Sequence, residues 1–302
     1  MGEAQVAAEA AHPRPAAPAP KRETEGHFGA PRHFLNNRFV YAVISQRARG
    51  LSIGVNMNPD KFCSFGCLYC EVDRDFAGQD RKLNVRTMAA ELQDLLARAF
   101  HGRMRELPAF HNIPMELLEL KTVALSGNGE PTLCQNFAGI VREIVKIRSK
   151  ERYPFFKIVL ITNACALDTP EVREGLRAFD ARDEVWAKLD AGTQAYMDLV
   201  NRSNVPLKRV LANILLVARE RPVVIQSLFP LLNGEEPPAA EIEEYVQRLE
   251  ELKVAGARIS MVQIYSAHRP PHRPACDHLP LKSLSHIARR VREVTGLNAE
   301  IF

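Results

Sequence analysis

Residues 51–70 read LSIGVNMNPDKFCSFGCLYC, a short alternating segment followed by three of the six cysteines in the chain. These cysteines, Cys63, Cys67 and Cys70, have the spacing C-x3-C-x2-C, and Tyr69 directly precedes the last of them. Three thiolates on so short a loop can face one common point. A structural zinc site takes four ligands, and no fourth cysteine or histidine lies nearby in the sequence. A [4Fe–4S] cluster also usually takes four cysteines, so three would leave one iron open to a ligand that is not protein.

The composition is that of a folded protein in a reducing compartment. The 302 residues are 46% hydrophobic and 25% charged, with a net charge of +4. Six cysteines in a chain of this length, three of them clustered, favour metal or redox chemistry over a disulfide scaffold. No apolar run approaches the roughly 20 residues of a membrane span, and the N-terminal residues lack the pattern of a secretory signal. We therefore expect a cytoplasmic protein with no membrane partner, and the weak positive charge suits an anionic partner.

Apolar, β-branched segments alternate with amphipathic helices through most of the chain. Residues 1–33 are rich in Ala and Pro, so we predict a disordered arm there and one domain over residues 34–302. The predicted strands are 51–57, 120–126, 157–162, 184–190, 223–228 and 258–266. The predicted helices are 86–101, 136–149, 170–179, 193–200, 207–219, 238–254 and 282–295. Strands that alternate with helices form parallel sheets, and six units are fewer than the eight of a closed barrel. The predicted fold class is α/β, an open, partial (β/α)6 TIM-like barrel of parallel strands with outer helices.

The polar, glycine and cysteine residues that stand out in the sequence lie in, at the end of or just after the predicted strands. Barrels of this kind carry their chemistry at the carboxyl ends of the strands. The residues that stand out are the cysteine loop (residues 63–70) after the first strand, Gly127-Asn128-Gly129-Glu130-Pro131 after the second, Asn163 after the third, Lys188 and Asp190 at the end of the fourth, Gln226 in the fifth, and Tyr265 and Arg269 at and after the end of the sixth.

The cysteine spacing, in register with GNGEP at 127–131 and LITNA at 160–164, resembles the radical S-adenosylmethionine superfamily over residues 45 to 270 or so. The segments SIGVNMNPDKFCSFGCLYCEVDR, SGNGEPTL and KLDAG are similar to one branch, the Fe–S oxidoreductases related to the wybutosine-synthesis enzymes. The wybutosine enzymes that these segments resemble carry a second cluster, which is bound by cysteines that precede the common motif. No cysteine precedes Cys63 here, so we expect a single cluster.

The resemblance implies the cofactors and the reaction. Cys63, Cys67 and Cys70 would hold one [4Fe–4S] cluster, whose open iron takes the amino nitrogen and carboxylate of S-adenosylmethionine. An external one-electron reductant of the flavodoxin or ferredoxin type would drive cleavage to a 5′-deoxyadenosyl radical, which abstracts a substrate hydrogen. The substrate is unassigned. An RNA partner with a modified tRNA base, a small anionic metabolite and a peptide are candidates, and no catalytic residue is assigned.

Four residues near the cysteines are predicted to contact S-adenosylmethionine. By this resemblance Tyr69 packs at the adenine edge, and Gly127 and Gly129 allow the backbone to approach the methionine part. Glu130 accepts a hydrogen bond from the methionine ammonium group. The alternative for Glu130 is a carboxylate that only stabilises a turn.

Four further residues complete the predicted cofactor site. Asn163, Lys188 and Asp190 would reach the ribose or the carboxylate, and Ile264 or Tyr265 would offer backbone groups to the adenine. Asn163 alternatively forms a turn after its strand. Lys188 and Asp190 point the same way along a strand, so they alternatively pair with each other.

Other readings stay open for the remaining cysteines and for the protein as a whole. Cys134 and Cys165 are expected to be small buried residues. Cys276 lies in a Pro-rich loop with His268, His272 and His278, whose loose spacing is compatible with a metal; we favour a substrate-side loop in which Arg269 and Arg273 bind phosphate or carboxylate. The alternative function is a non-catalytic Fe–S binding or electron-transfer protein.

Overall fold

The computed structural model describes residues 34–78, 80–150, 152–267, 271 and 276–302. The arm predicted over residues 1–33 lies outside the described residues, and so do His268, Arg269, His272 and Arg273 of the Pro-rich loop. No helix in the described part of the chain is both long enough and apolar enough to cross a membrane.

The described residues form a mostly parallel sheet flanked by helices. The strands are β1 Val40–Ser45, β2 Gly50–Asn56, β3 Leu120–Ser126, β4 Lys157–Thr162, β5 Glu184–Lys188, β6 Val223–Leu228, β7 Pro230–Leu231, β8 Ile259–Tyr265, β9 Asp277–His278 and β10 Ala299–Ile301. The α-helices are α1 Val85–Phe100, α2 Phe137–Ser149, α3 Pro170–Leu176, α4 Gln194–Val200, α5 Leu207–Glu220, α6 Ala239–Val254 and α7 Leu281–Thr295. Short 3₁₀ turns cover Arg103–Glu106, Pro108–Phe110, Met115–Leu118 and Pro131–Leu133.

The large sheet has eight strands in the order β1-β2-β3-β4-β5-β6-β8-β10. All neighbours are parallel except β1 and β2, which form an antiparallel hairpin. β7 and β9 form a separate antiparallel pair. The two edge strands, β1 and β10, are not paired with each other, so the barrel is open. The predicted α/β class and open barrel are therefore confirmed.

The six predicted strands correspond to β2, β3, β4, β5, β6 and β8, and every predicted α-helix is present. The strand count was nevertheless too low, because β1, β10 and the short separate pair of β7 and β9 were missed. β1 is an antiparallel addition to the barrel edge, outside the alternating β/α pattern that indicated the others. β10 has only three residues, too few to show a period of two.

Alternate residues of the strands face two environments. In β4, Ile158 and Leu160 belong to the main hydrophobic core, whereas Val159 and Ile161 line a cavity of about 660 Å³ on the inner face of the sheet. This alternation is the strand period of two. The helices cover the outer face with apolar residues at helical spacing, as Leu92 does in α1. Burial on one face thus leaves the other face free to line a site.

The turn between β1 and β2 extends across the opening toward β8 and β10. Arg49 forms an ion pair with Glu300 of β10 at 2.9 Å, and the Arg47 guanidinium lies 4.5 Å from the centre of the Tyr265 ring. An exposed ion pair of this kind contributes about 0–1 kcal/mol. The gap between the sheet edges is therefore bridged by side chains, and the hairpin adds a wall to the cavity.

Candidate functional site

Backbone hydrogen bonds hold the cysteine loop against the end of α4. Gly66 donates its N–H to the carbonyl of Asn201, and Leu68 donates to the carbonyl of Val200, both at 2.9 Å. The last carbonyls of a helix have no partner within the helix, so a loop that presents N–H groups satisfies them. The end of α4 therefore fixes the position of the loop.

The turn after β3 approaches the residues just before the cysteine loop, and its glycines are required by that approach. Glu130 donates its N–H to the carbonyl of Phe62 at 3.0 Å. A Cβ on Gly129 would lie 1.9 Å from the same carbonyl oxygen. Gly127 has a φ of +132°, and a Cβ there would lie 2.2 Å from Oδ1 of Asn56. Contacts within the protein explain both glycines, and an approach to the methionine part of a cofactor stays a prediction.

Arg74 faces the sulfur atoms of the cysteine loop. Its Nη1 donates to the carbonyl of Phe65 at 2.6 Å, and its Nη2 lies 3.8 Å from Cys70 Sγ. Burial by itself lowers the pKa of Arg74, but attraction to Cys63, Cys70 and Cys67 outweighs burial and raises it. The positive charge of Arg74 is therefore close enough to attract the thiolate form of all three cysteines.

The three predicted iron ligands are free, half-buried cysteines. Burial, together with the nearby carboxylate of Asp190, raises the pKa of Cys67 to about 11. Three cysteine sulfurs on one short loop beside a cation are the type of ligand that binds an iron–sulfur cluster. In the described part of the chain, no three His, Cys, Asp or Glu side chains are gathered closely enough to form a metal site. The donor chemistry fits, and the assignment of Cys63, Cys67 and Cys70 as ligands stays a prediction.

Glu130 is buried, with 2% of its surface exposed, and its carboxylate joins two strand ends. It accepts hydrogen bonds from the backbone and hydroxyl of Thr132, from the hydroxyl of Thr162, and from the backbone of Asn163 at 2.7 Å. Burial raises the pKa of Glu130 despite these donors. The Glu130 carboxylate therefore does stabilise a turn, which was the alternative role predicted for this residue. Among the described residues, Oε2 accepts a hydrogen bond from Asn163 alone, which leaves one acceptor position on it.

Asn163 points toward the cysteine loop. Its Oδ1 accepts the backbone N–H of Cys165 at 3.0 Å, and its Nδ2 donates to Ser64 Oγ at 3.2 Å. The same Nδ2 lies 3.8 Å from Cys63 Sγ. The side chain therefore forms a turn, as the alternative reading predicted, and also contacts the loop that carries the cysteines.

Asp190 is the centre of a buried hydrogen-bond network, with 1% of its side chain exposed. Its Oδ1 accepts the backbone N–H of Leu228 at 2.9 Å, and its Oδ2 accepts Asn201 Nδ2 at 2.8 Å and the hydroxyl of Tyr69. Lys188 Nζ lies 3.6 Å from Oδ1. Lys188 and Asp190 therefore pair with each other, and Asp190 also fixes the tyrosine that precedes the third cysteine.

Lys188 extends from the end of β5 into the cavity. Its Nζ donates to the Tyr265 hydroxyl at 3.0 Å and lies 4.8 Å from the centre of the Tyr69 ring. Burial lowers the pKa of Lys188, but the nearby Asp190, Tyr265 and Cys67 together outweigh burial and raise the pKa above the ordinary value. Lys188 is therefore protonated at neutral pH.

Ile264, which with Tyr265 was expected to offer backbone groups to the adenine, is fully buried in β8, and the carbonyls of both residues already have partners. The Ile264 carbonyl accepts the N–H of Phe302 at 3.0 Å, and the Tyr265 carbonyl accepts the N–H of Phe229 at the same distance. The sequence reasoning did not anticipate the bond from Phe302, because it missed β10.

Sequence reasoning also missed Arg74 and Asn201 as parts of the site. Asn201 has 2% of its surface exposed and lies within 3.5 Å of Cys67 Sγ. It follows α4 directly, more than 130 positions after the cysteine it contacts, and nothing in its local sequence signals that role. Arg74 follows Cys70 by four positions, so its proximity to the loop was the one available signal.

Of the other cysteines, Cys165 belongs to this network, because its backbone N–H donates to Asn163 Oδ1 and its thiol lies beside Ser64 and Thr132. Cys165 and Cys276 are buried, and Cys134 is half-buried. The expected burial is therefore present for Cys165 and only partly present for Cys134. His278 is exposed, whereas His268 and His272, of the loose metal pattern, lie outside the described residues.

The cysteine loop borders the cavity on the inner face of the sheet. Tyr69, Cys70 and Lys188 line the cavity from the strand ends, and Arg47 and Tyr265 line it from the hairpin turn and from β8. Most of the predicted site residues thus lie around one cavity or in the turns that support it. Gly129, Glu130 and Asn163 belong to the supporting turns.

Sequence comparison finds relatives that match part of the chain. No family model matches the chain. UPF0026 protein slr1464 of Synechocystis is 29% identical over 186 residues, and the match covers 60% of each chain. The matched part of this chain thus spans less than two thirds of that relative.

Two solved structures share the fold over most of the chain. A radical SAM methyltransferase from Sphaerobacter thermophilus has a TM-score of 0.60 and 17% identity over 87% of this chain and 68% of its own. TYW1 with a lysine–pyruvate adduct bound has a TM-score of 0.56 and 16% identity over 84% of each chain. The chain therefore has the fold of the radical S-adenosylmethionine enzymes, with its three-cysteine loop at the carboxyl end of the sheet.

Proposed function

We propose that this protein is a radical S-adenosylmethionine enzyme in which Cys63, Cys67 and Cys70 hold a single [4Fe–4S] cluster. The observation that carries the proposal is the cysteine loop itself, which lies at the carboxyl end of β2 and borders a cavity through Cys70. The fold adds support, because the solved structures that share it are radical SAM enzymes.

The bound cluster and S-adenosylmethionine would supply the reaction, in which one electron from a flavodoxin- or ferredoxin-type reductant yields the 5′-deoxyadenosyl radical that abstracts a substrate hydrogen. The protein supplies position. Asp190 accepts hydrogen bonds from Tyr69 and Asn201, and Asn201 in turn lies against Cys67. Glu130 accepts the backbone N–H of Asn163 and so holds the end of β4.

Two predicted cofactor contacts are kept as part of the proposal. The remaining acceptor position on Glu130 Oε2 suits the ammonium group of the methionine part. The ring of Tyr69 is held by its hydroxyl bond to Asp190, which leaves the ring next to the cavity for the adenine. The glycines Gly127 and Gly129 would contribute indirectly, by allowing the turn after β3 to pack closely.

The cavity favours an enzyme over an electron-transfer protein. Electron transfer needs only a cluster near the surface, whereas a cavity of about 660 Å³ beside the cysteine loop provides room for reactants. Among the described residues, two basic side chains, Arg47 and Lys188, and one acidic side chain, Glu71, line this cavity. Basic side chains outnumber acidic ones in this lining, so we propose an anionic substrate, and both a tRNA base with its phosphates and a small anionic metabolite meet that requirement.

The lysine–pyruvate adduct of TYW1 suggests a covalent role for a cavity lysine, and Lys188 is the lysine that lines this cavity within the described residues. A lysine must lose its proton before it attacks a carbonyl group. The raised pKa of Lys188 opposes that loss, so we propose an electrostatic role for Lys188 in binding an anion.

Anaerobic reconstitution with iron and sulfide, followed by reduction in the presence of S-adenosylmethionine, tests the proposal. We expect about four iron ions per chain and formation of 5′-deoxyadenosine. Cys67→Ala should abolish 5′-deoxyadenosine formation. Cys134→Ala, which removes a half-buried cysteine outside the loop, is the matched control and should retain it. A fully loaded and reduced cluster that never cleaves S-adenosylmethionine would support the electron-transfer alternative instead.

A further inference from the structure

Each of the three cysteine sulfurs lies near a nitrogen donor from a different part of the chain. Asn163 Nδ2 lies 3.8 Å from Cys63 Sγ, and Asn201 Nδ2 lies 3.5 Å from Cys67 Sγ. The third pair, described above, is Arg74 with Cys70. Asn163 follows β4 and Asn201 follows α4, so the tertiary structure brings these donors to the loop.

The donor atoms are oriented by a second bond in each case. Asp190 accepts from Asn201, and a carboxylate cannot donate, so the amide group that faces it and Cys67 must be the nitrogen. This Nδ2 also lies 3.2 Å from the Tyr69 hydroxyl, so its second N–H is shared between that oxygen and Cys67 Sγ. The Oδ1 of Asn163 is occupied by the backbone N–H of Cys165, which leaves Nδ2 toward Cys63. The Arg74 guanidinium has only donors. All three contacts therefore present N–H groups to sulfur.

N–H groups and positive charge near cluster sulfurs stabilise the reduced form, because the reduced cluster carries one more negative charge than the oxidised form. Hydrogen bonds to the sulfurs are among the factors that set the reduction potential of iron–sulfur clusters. Residues that contact metal ligands in this way tune the metal without binding it.

We propose that Arg74, Asn163 and Asn201 are positioning residues that raise the reduction potential of the cluster through the three cysteine sulfurs. This inference rests on the proposed function, since it requires a cluster on Cys63, Cys67 and Cys70. It assigns Asn163 to the cysteine loop in place of the S-adenosylmethionine contact predicted from the sequence. Arg74 contributes a full charge from an exposed position, and the two asparagines contribute neutral donors from buried positions.

The midpoint potential of the loaded cluster, measured by redox titration with electron paramagnetic resonance, tests the proposal. Arg74→Met, Asn163→Ala and Asn201→Ala should each shift the midpoint to lower potential at unchanged iron content. Arg202→Met is the matched control, because Arg202 is also exposed and lies against Gly66 of the same loop but has no sulfur contact among the described residues. Its shift should be smaller than that of Arg74→Met.

The possible results separate the inference from the proposed function. Midpoint potentials that equal the wild-type value in all three variants would overturn the inference while the cluster itself stands. An equal shift in Arg74→Met and Arg202→Met would also overturn it for Arg74, since surface charge alone would then explain the effect. A wild-type protein that takes up no cluster would contradict the proposed function and the inference together. Because Arg74 is exposed, its variant tests the proposal even where a buried asparagine variant folds poorly.

Discussion

The carboxylate of Glu130 accepts the backbone N–H of Asn163 at 2.7 Å, and this bond joins the turn after β3 to the end of β4. Both residues were predicted to contact a cofactor, and both are bound to the protein itself. Glu130 also accepts from Thr132 and Thr162, and Asn163 continues the connection to the cysteine loop through Ser64. A contiguous set of hydrogen bonds thus runs from β3 through β4 to the cysteines.

Replacing Glu130 by alanine should destabilise the protein, because four buried donors would lose their acceptor. We expect the free energy of unfolding to fall by about 3 kcal/mol, measured by urea denaturation. Glu119→Ala is the control: Glu119 is exposed and ion-paired with Lys121, and its loss should cost about 0.5 kcal/mol or less. Equal unfolding midpoints for both variants would contradict the structural role of Glu130.

Replacing Gly129 by alanine should displace the cysteine loop, because the new methyl group would lie 1.9 Å from the carbonyl oxygen of Phe62. We expect the reconstituted variant to bind much less iron than the wild type. Gly66→Ala is the matched control within the loop, since its nearest contact would be an ordinary 3.5 Å to Arg202 Cβ. Full iron binding by Gly129→Ala would show that the turn after β3 does not determine the position of the loop.

Asp190→Asn keeps the shape of the side chain but replaces one acceptor oxygen with a donor. Tyr69, Asn201 and Leu228 all donate to Asp190, so at least one of these donors must lose its partner. We expect the unfolding free energy to fall by about 2–4 kcal/mol. Asp198→Asn, at an exposed site where the carboxylate accepts only from Gln194 among the described residues, should have little effect. A neutral result for Asp190→Asn would mean that the network contributes little to folding.

The thiol of Cys67 should react slowly with alkylating reagents in the metal-free protein. Burial, and next the Asp190 carboxylate, raise its pKa to about 11, and the thiolate is the reactive form. At pH 8, three units lower, only about one Cys67 in a thousand is ionised. The alkylation rate, followed by mass spectrometry of the peptide that contains Cys67, should rise about tenfold per pH unit up to pH 11 or so. A plateau near pH 9 would indicate an unshifted thiol.

The same shift has a consequence for stability. The thiol of Cys67 has the higher pKa in the folded protein, so its contribution to folding is fully present below pH 9, the ordinary value. That contribution is lost as the pH rises toward 11, because the unfolded chain releases its proton first.

The sheet and helices were predictable because their signals are local. β3, β4 and β6 have the predicted bounds, since each is an apolar segment bounded by turn residues. The hairpin strand β1 and the three-residue β10 were not predictable from that pattern. Their role depends on a barrel edge that exists only after the other strands have assembled.

By itself, the sequence determined the α/β class, the order of the parallel strands and the candidate thiol ligands, because periodicity and the C-x3-C-x2-C spacing are properties of neighbouring residues. Only the tertiary structure decided the partners of the polar side chains. Glu130 and Asn163 are 33 positions apart, and Asn201 and Cys67 are 134 positions apart, so their contacts arise from packing and leave no local trace. A buried carboxylate or amide must satisfy its hydrogen bonds with whichever groups packing brings near it, and here those groups belong to the protein.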